Sequence, residues 1–154
     1  MSYAKSMRVH IATDHAGFTL KNNLVKYLTE KGFEVEDHGY HDYDKLDAYP
    51  PVCFACAEAT AADPGSLGIV IGGSGNGEQM AANKVKGVRA ALVWNEEIAR
   101  LAREHNNANV MSVGARQHTE EEVKHLVDVF LSTPYDPRSR HQSRVEMLID
   151  YETK

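Results

Sequence analysis

The stretch "SLGIVIGG" (66–73) carries no charged or amide side chain between its serine and its glycines. It lacks the polar alternation of a strand with one wet face, so it reads as a strand buried on both faces, as in a parallel sheet. Parallel strands need crossovers, and the rest of the chain supplies them. "MRVHIAT" (7–13) is strand-like, and "GFTLKNNLVKYLTEKG" (17–32) follows with Leu20, Leu24 and Leu28 on one helical face. "FEVEDHG" reads as a second strand. "PPVCFACAEATAA" opens with prolines suited to a helix's first turn. After "SLGIVIGG", "EQMAANK" is a short helix, "VRAALVW" a strand, "NEEIARLAREHN" a helix and "ANVMSVG" a fifth strand. In "NEEIARLAREHN", Ile98, Leu101 and Ala102 fall on one face. "HTEEEVKHLVDVFLST" starts with Thr119 and Glu122 in capping-box spacing.

The expected fold is therefore α/β: a doubly wound, Rossmann-like, five-stranded parallel sheet with helices on both faces, an α/β/α sandwich. The 154 residues suit one domain. Residues 7–154 read as that domain, closed by a helix over "RHQSRVEMLIDYE", and 1–6 as an extension. A net charge of −5 counts against nonspecific binding to nucleic acid or an anionic membrane. No apolar run approaches a membrane span, and two cysteines are too few for a disulfide scaffold, so a cytoplasmic location is expected.

In doubly wound folds ligands sit beyond the carboxyl ends of the strands, near a switch in strand order. That points to the turns after the first and third strands, "TDHAG" and "GGSGNGEQ" (72–79). The second fits no familiar glycine loop. A dinucleotide fingerprint counted from Gly73 fails at Glu78, and a P-loop counted from Gly72 has Glu78 in place of its lysine. A nucleophile elbow fails at Asn76. What survives is a set of convergent backbone amides at a helix start, suited to negative charge. A permanent phosphate there would be repelled by Glu78. A substrate that becomes an oxyanion on losing a proton needs both parts, the amides for the oxyanion and the carboxylate for the proton. That is carbon-acid chemistry, such as aldose–ketose isomerisation. The bland alternative keeps Glu78 as a first-turn acid and the glycines as a tight turn. Whether burial or the helix dipole controls Glu78 is open at this level.

Other residues carry paired readings. Asp14 either binds sugar hydroxyls or caps the following helix, and His15 can donate to a phosphate. His105 is either a proton donor near a helix C-terminus or simply part of the "HNN" that ends it. Arg140 and Arg144, four apart and so on one helical face, suit a phosphate dianion, with His141 adjacent. A solvated basic turn is the alternative. Arg116, after the fifth strand, can join a phosphate site. Cys53 and Cys56 read as small apolar residues on a helix's buried side. His38, His41, Asp37 and Asp42 form no recognised ligand pattern and read as solvated.

Together, "RVHIATDHAGFTLKNNL", "YPPVC", "LGIVIGGSGNGEQMAANKVKGVRAAL", "REHNNANVMSVGAR" and "RHQSRVEML" resemble the type-B ribose-5-phosphate isomerases in order and spacing. That family also includes galactose-6-phosphate isomerase. The resemblance runs from about Met7 to near the C-terminus. It implies a homodimer, or a dimer of dimers, with active sites at the subunit boundary. It implies interconversion of ribose 5-phosphate and ribulose 5-phosphate through an enediolate, with no metal or organic cofactor. By position, Asp14 and His15 match sugar and phosphate contacts. The backbone of Gly73, Gly75, Asn76 and Gly77, with Ser74, matches the anion hole. His105 matches the ring-opening residue, Asn106 a ligand contact, and Arg116, Arg140 and Arg144 the phosphate clamp.

Two departures stand out. Many relatives use a cysteine base at the position of Gly72; a subgroup with "GGSGNGEQ" uses the glutamate, here Glu78. Ala48 replaces a common aspartate in "DAYP", although Tyr49 can still line the sugar pocket. The expected mechanism has Glu78 take the C2 proton, with Ser74 relaying protons between the two oxygens. The rivals are an isomerase of allose or galactose 6-phosphate and a noncatalytic phosphosugar-binding module. A sugar phosphate is the expected partner, and nucleic acid and membrane are not.

Overall fold

A computed structural model describes residues 7–154; the extension read at 1–6 lies outside the described residues. The strands are β1 (Arg8–Thr13), β2 (Glu34–Asp37), β3 (Leu67–Gly72), β4 (Ala90–Leu92) and β5 (Val110–Gly114). The helices are α1 (Phe18–Glu30), α2 (Tyr49–Ala61), α3 (Asn76–Ala82), α4 (Glu96–Asn106), α5 (Glu120–Ser132) and α6 (Gln142–Tyr151). A short 3-10 turn, His15–Gly17, joins β1 to α1. All ladders are parallel, in the order β2-β1-β3-β5-β4.

Every residue of β3 is buried, as its composition predicts. Ile69 and Ile71 face a core shared with α1, α4 and α5, whereas Val70 faces one shared with α2 and α3. The alternation of side chains along the strand thus feeds both layers. Each such aliphatic side chain contributes about 1.5–3 kcal/mol by leaving water. On α4, Ala99 and Ala102 are buried, while Ile98 and Leu101 of the apolar face are half-buried. The capping box of α5 is present, with Glu122 N–H donating to Thr119 Oγ1 at 3.1 Å and Thr119 N–H to Glu122 Oε1 at 2.7 Å. Cys53 and Cys56 are buried in the α2 core, where burial pushes the Cys56 thiol up to about 12. No helix among the described residues is long and apolar enough to cross a membrane.

Two consequences of topology position the site. First, the helix after β1 lies on one face and the helix after β3 on the other, although the two strands are neighbours. That is the switch point at which such sheets open a crevice. Second, the parallel strands oblige each crossover helix to run back from the carboxyl edge of the sheet to the amino edge. The end of α4 is thus at the amino edge, where Arg89, just before β4, donates from Nε to Asn106 O at 3.0 Å.

Candidate active site

The turns that follow β1 and β3 meet at the carboxyl edge of the sheet. Gly75 turns the chain out of β3 with φ of +88°, a conformation that favours glycine. Its carbonyl is held by Ser112 Oγ at 2.6 Å, which fixes the loop to β5. Glu78, in the first turn of α3, is buried. Its carboxyl lies against the backbone of Gly72: a Cβ built on Gly72 would stand 2.0 Å from Glu78 Cδ. The missing side chain at position 72 is the room in which the carboxyl sits. A cysteine at 72 and this placement of Glu78 exclude each other sterically.

Burial pushes the Glu78 carboxyl above its ordinary range. Its own N–H opposes that shift, the Asp14 carboxylate adds to it, and the Gly75 N–H opposes it again. Burial therefore outweighs the two backbone N–H groups at the start of α3. The amides are also less uniformly available than the glycines suggest. Those of Gly75 and Glu78 serve the carboxyl, and Asn76 N–H donates to Ser74 Oγ at 3.2 Å. Gly73, Ser74 and Gly77 remain as the loop amides with no protein acceptor among the described residues.

Asp14 is buried and does cap the 3-10 turn, accepting from Ala16 N–H at 3.0 Å. Its charge is nevertheless felt at Glu78, so the cap and the crevice share one carboxylate. His15 is held by a residue that sequence reasoning passed over. Asp47 Oδ1 accepts from the His15 N–H at 2.9 Å and lies 2.8 Å from His15 Nδ1. Asp47 Oδ2 is buried without a hydrogen-bond partner. The hydrogen bond to Asp47 raises the His15 pKa above the ordinary imidazole range, against desolvation, and the Arg116 charge opposes the rise. Asp47 is itself placed through a relay. The buried Lys21 donates to Asp37 at 2.8 Å and to Tyr40 O at 2.8 Å, and Tyr40 OH donates to Ala48 O at 2.7 Å. The only sequence signal for Asp47 was its place beside "AYP" at the start of α2.

Two further side chains close around the loop. Arg116, exposed after β5, has Nη1 3.0 Å from where a Cβ of Gly73 would be. The Tyr49 ring covers Gly77 in the same way, with Cζ at 2.5 Å. Glu78, Ser74, the loop backbone, Asp14, His15 and Arg116 are thus brought together within one chain.

His105, Asn106, Arg140 and Arg144 are not brought to this edge. His105 stacks on His141 with ring centroids 4.0 Å apart, beside a cavity of about 580 Å³ that Tyr135 and Arg138 also line. Burial, the His105 ring and then the flanking arginines hold the His141 pKa below the usual imidazole range. Asn107 ends α4 in the left-handed conformation, φ 44°, so "HNN" is indeed the helix terminator. Arg140 lies in the turn before α6, not on the helix as the spacing predicts, and its carbonyl accepts from Arg144 Nη1 at 2.6 Å. The eleven residues of α4 separate this group from the glycine loop by about 16 Å of helix. The solvated reading of the 37–42 segment also fails in part: Asp37 is bound by Lys21, and His38 is half-buried against His10.

Comparison with known proteins agrees with this geometry. The Ribose/Galactose Isomerase family matches residues 9–148. The ribose-5-phosphate isomerase B of Mycobacterium tuberculosis is 52% identical over 146 residues, covering 95% of this chain and 90% of that protein. The galactose-6-phosphate isomerase subunit LacB of Clostridium acetobutylicum is 38% identical, covering 91% of this chain and 80% of that one. The crystal structure of ribose-5-phosphate isomerase B from Mycoplasma genitalium with bound ribulose-5-phosphate superposes with a TM-score of 0.92 at 43% identity. The match covers 97% of this chain and 98% of that one. By its switch-point crevice, its glycine loop and these relatives, the chain belongs to the ribose/galactose isomerase family.

Proposed function

We propose that the chain interconverts ribose 5-phosphate and ribulose 5-phosphate, with Glu78 as the base. The observation that carries this is a buried carboxyl, its pKa raised, at the mouth of a glycine loop. A general base works best when its pKa approaches the operating pH, and burial moves Glu78 in that direction. In the proposed cycle His105 assists opening of the furanose and Glu78 removes the C2 proton of the open aldehyde. The free amides of Gly73, Ser74 and Gly77 stabilise the enediolate, and the proton returns to C1. Ser74 relays protons between the two oxygens, while Asp14 and Asn106 bind the sugar. His15, Arg116, Arg140 and Arg144 hold the phosphate. The base and the anion hole each contribute about a hundredfold or more.

That cycle needs groups from both edges of the sheet, so a complete site takes the carboxyl edge of one chain and the amino edge of another. A homodimer with sites at the boundary meets the requirement. The exposed Met147, Leu148 and Tyr151 of α6 support it as apolar surface suited to cover by a second chain. The kinship with LacB keeps a second substrate class in view, the hexose 6-phosphates.

The test is solvent-proton exchange in D₂O. The expected result is deuterium at C2 of ribose 5-phosphate and C1 of ribulose 5-phosphate, abolished by Glu78→Gln. Near-wild-type exchange in that variant would remove Glu78 as the base. Binding without any exchange would make the chain a phosphosugar-binding module. A higher kcat/KM on galactose or allose 6-phosphate would reassign the substrate.

A further inference from the structure

His10 is a buried histidine with no part in the proposed cycle. It lies on β1, alternating with Val9 and Ile11 of the α1 core and hence facing α2. Both ring nitrogens are engaged: Nε2 is 3.0 Å from Asp63 Oδ2 and Nδ1 is 2.9 Å from His38 Nε2. Glu36 is the register partner of His10 across the β1–β2 ladder. Its carboxylate straddles the histidine pair, with Oε2 3.8 Å from His10 Nδ1 and Oε1 3.9 Å from His38 Nε2.

Tautomers follow from Asp63. Asp63 Oδ2 also accepts from Arg8 Nη1 at 3.0 Å, a carboxylate–guanidinium pair. An ionised carboxylate only accepts, so the His10 proton sits on Nε2 and its Nδ1 lone pair points at His38. A carboxylate behind one imidazole, whose other nitrogen faces a second imidazole and an accessible carboxylate, is the usual construction of a zinc ligand set.

We propose that His10 Nδ1, His38 Nε2 and the Glu36 carboxylate bind one divalent transition ion of zinc type, with Asp63 orienting His10 from behind. A tetrahedral zinc ion with bonds of 2.0–2.2 Å sets its ligand atoms about 3.3–3.5 Å apart. The two imidazole nitrogens are 2.9 Å apart, and the two Glu36 oxygens lie 3.8 and 3.9 Å from one nitrogen each, so rotation of the exposed carboxylate has to bring a single oxygen to both. The ion takes the place of the hydrogen that the two imidazoles share, and a neutral His38 moves that proton from Nε2 to Nδ1. Glu36 is exposed, which gives the ion an entry path and leaves the fourth position to water. Two imidazoles and one carboxylate favour zinc-like ions over the hard cations that prefer oxygen ligands throughout. Arg8 opposes binding, its Nε being 4.0 Å from Glu36 Oε2, whereas Asp37 offsets that charge at His38.

The bound ion would pin the short edge strand β2, four residues long, to β1 and to the end of α2. It takes no part in isomerisation: His10 precedes Asp14 by about 13 Å of strand. The proposal therefore stands or falls independently of the reading of Glu78.

The experiment titrates metal-stripped, full-length protein with Zn²⁺ against a chromogenic chelator, and with Co²⁺ followed by its visible absorption. One equivalent per chain is expected, with a four-coordinate cobalt spectrum and a Tm that rises with zinc. His38→Gln and Glu36→Gln should each weaken zinc binding at least ~tenfold, and Asp63→Asn by about ten- to a hundredfold. Glu36→Gln alters an exposed side chain, so it keeps the test decisive if His38→Gln folds poorly. Absence of saturable binding would overturn the site. So would binding that survives both ligand substitutions, or that is lost in His141→Ala.

Discussion

At the carboxyl edge of the sheet, Glu78 and Asp14 are buried and His15 is tied to Asp47. At the amino edge, His105 and His141 are only half-buried, and Arg140 and Arg144 are exposed. One edge is held by a glycine loop, a switch point and a relay through Lys21; the other rests on the end of α4 and the turn before α6. In the proposed cycle the buried edge carries the base and the exposed edge the movable arginines Arg140 and Arg144, with His15 and Arg116 joining the phosphate from the buried edge. Proton transfer needs a carboxyl whose pKa and position are set before substrate arrives. Phosphate capture needs arginine forks that can move onto a charged ligand. Burying Glu78 costs stability once its carboxyl ionises, because burial disfavours the charged form.

Substitutions on the two edges should fail differently. The largest expected effect is Glu78→Gln, with kcat lowered about 10²–10⁴-fold and KM little changed. Tm should rise in the same variant. The folded pKa of Glu78 is raised, so its contribution to stability is full below the unfolded carboxyl range and lost as pH rises through the folded value. Removing the charge recovers that loss at neutral pH and gains nothing in acid. Next comes Arg144→Ala, expected to raise KM about ten- to a hundredfold through a lost charged hydrogen bond, while Tm stays put. If it lowered kcat as Glu78→Gln does, the division of tasks would be wrong. The smallest is Asp47→Asn, with an effect of about fivefold or less on KM. Asp47 raises the His15 pKa, so the imidazolium of the wild type persists to higher pH. In Asp47→Asn the pH above which KM climbs should move down, and an unshifted profile would detach His15 from phosphate binding.

The architecture was legible wherever a property is local. The apolar run of β3, the prolines at the start of α2 and the Thr119–Glu122 box each specify their element within a few residues. β4 is shorter than "VRAALVW" suggests because only Ala90–Leu92 finds a partner, in β5, at the sheet's edge. Periodicity marked the apolar stripe of α4 but did not say that Ala99 and Ala102, and not Ile98 and Leu101, are the part fully covered by the core. Glu78 was visible as the residue that spoils both the dinucleotide fingerprint and the P-loop. The Gly72 space it fills was not, since a glycine's role depends on what approaches it. Asp47 and the His10–His38–Asp63 cluster escaped notice for a related reason. Their partners lie 32, 28 and 53 residues apart, and no periodicity connects such positions.

Mixing two inactive variants tests the division between edges most directly. Glu78→Gln disables the carboxyl edge and His105→Asn the amino edge, each leaving the other intact. In a twofold dimer whose sites draw one edge from each chain, a hybrid carries one doubly altered site and one wild-type site. Random reassortment should therefore restore about a quarter of wild-type turnover on ribose 5-phosphate. Activity no greater than the average of the two parent variants, with hybrid dimers shown to be present, would mean that each site is built within a single chain.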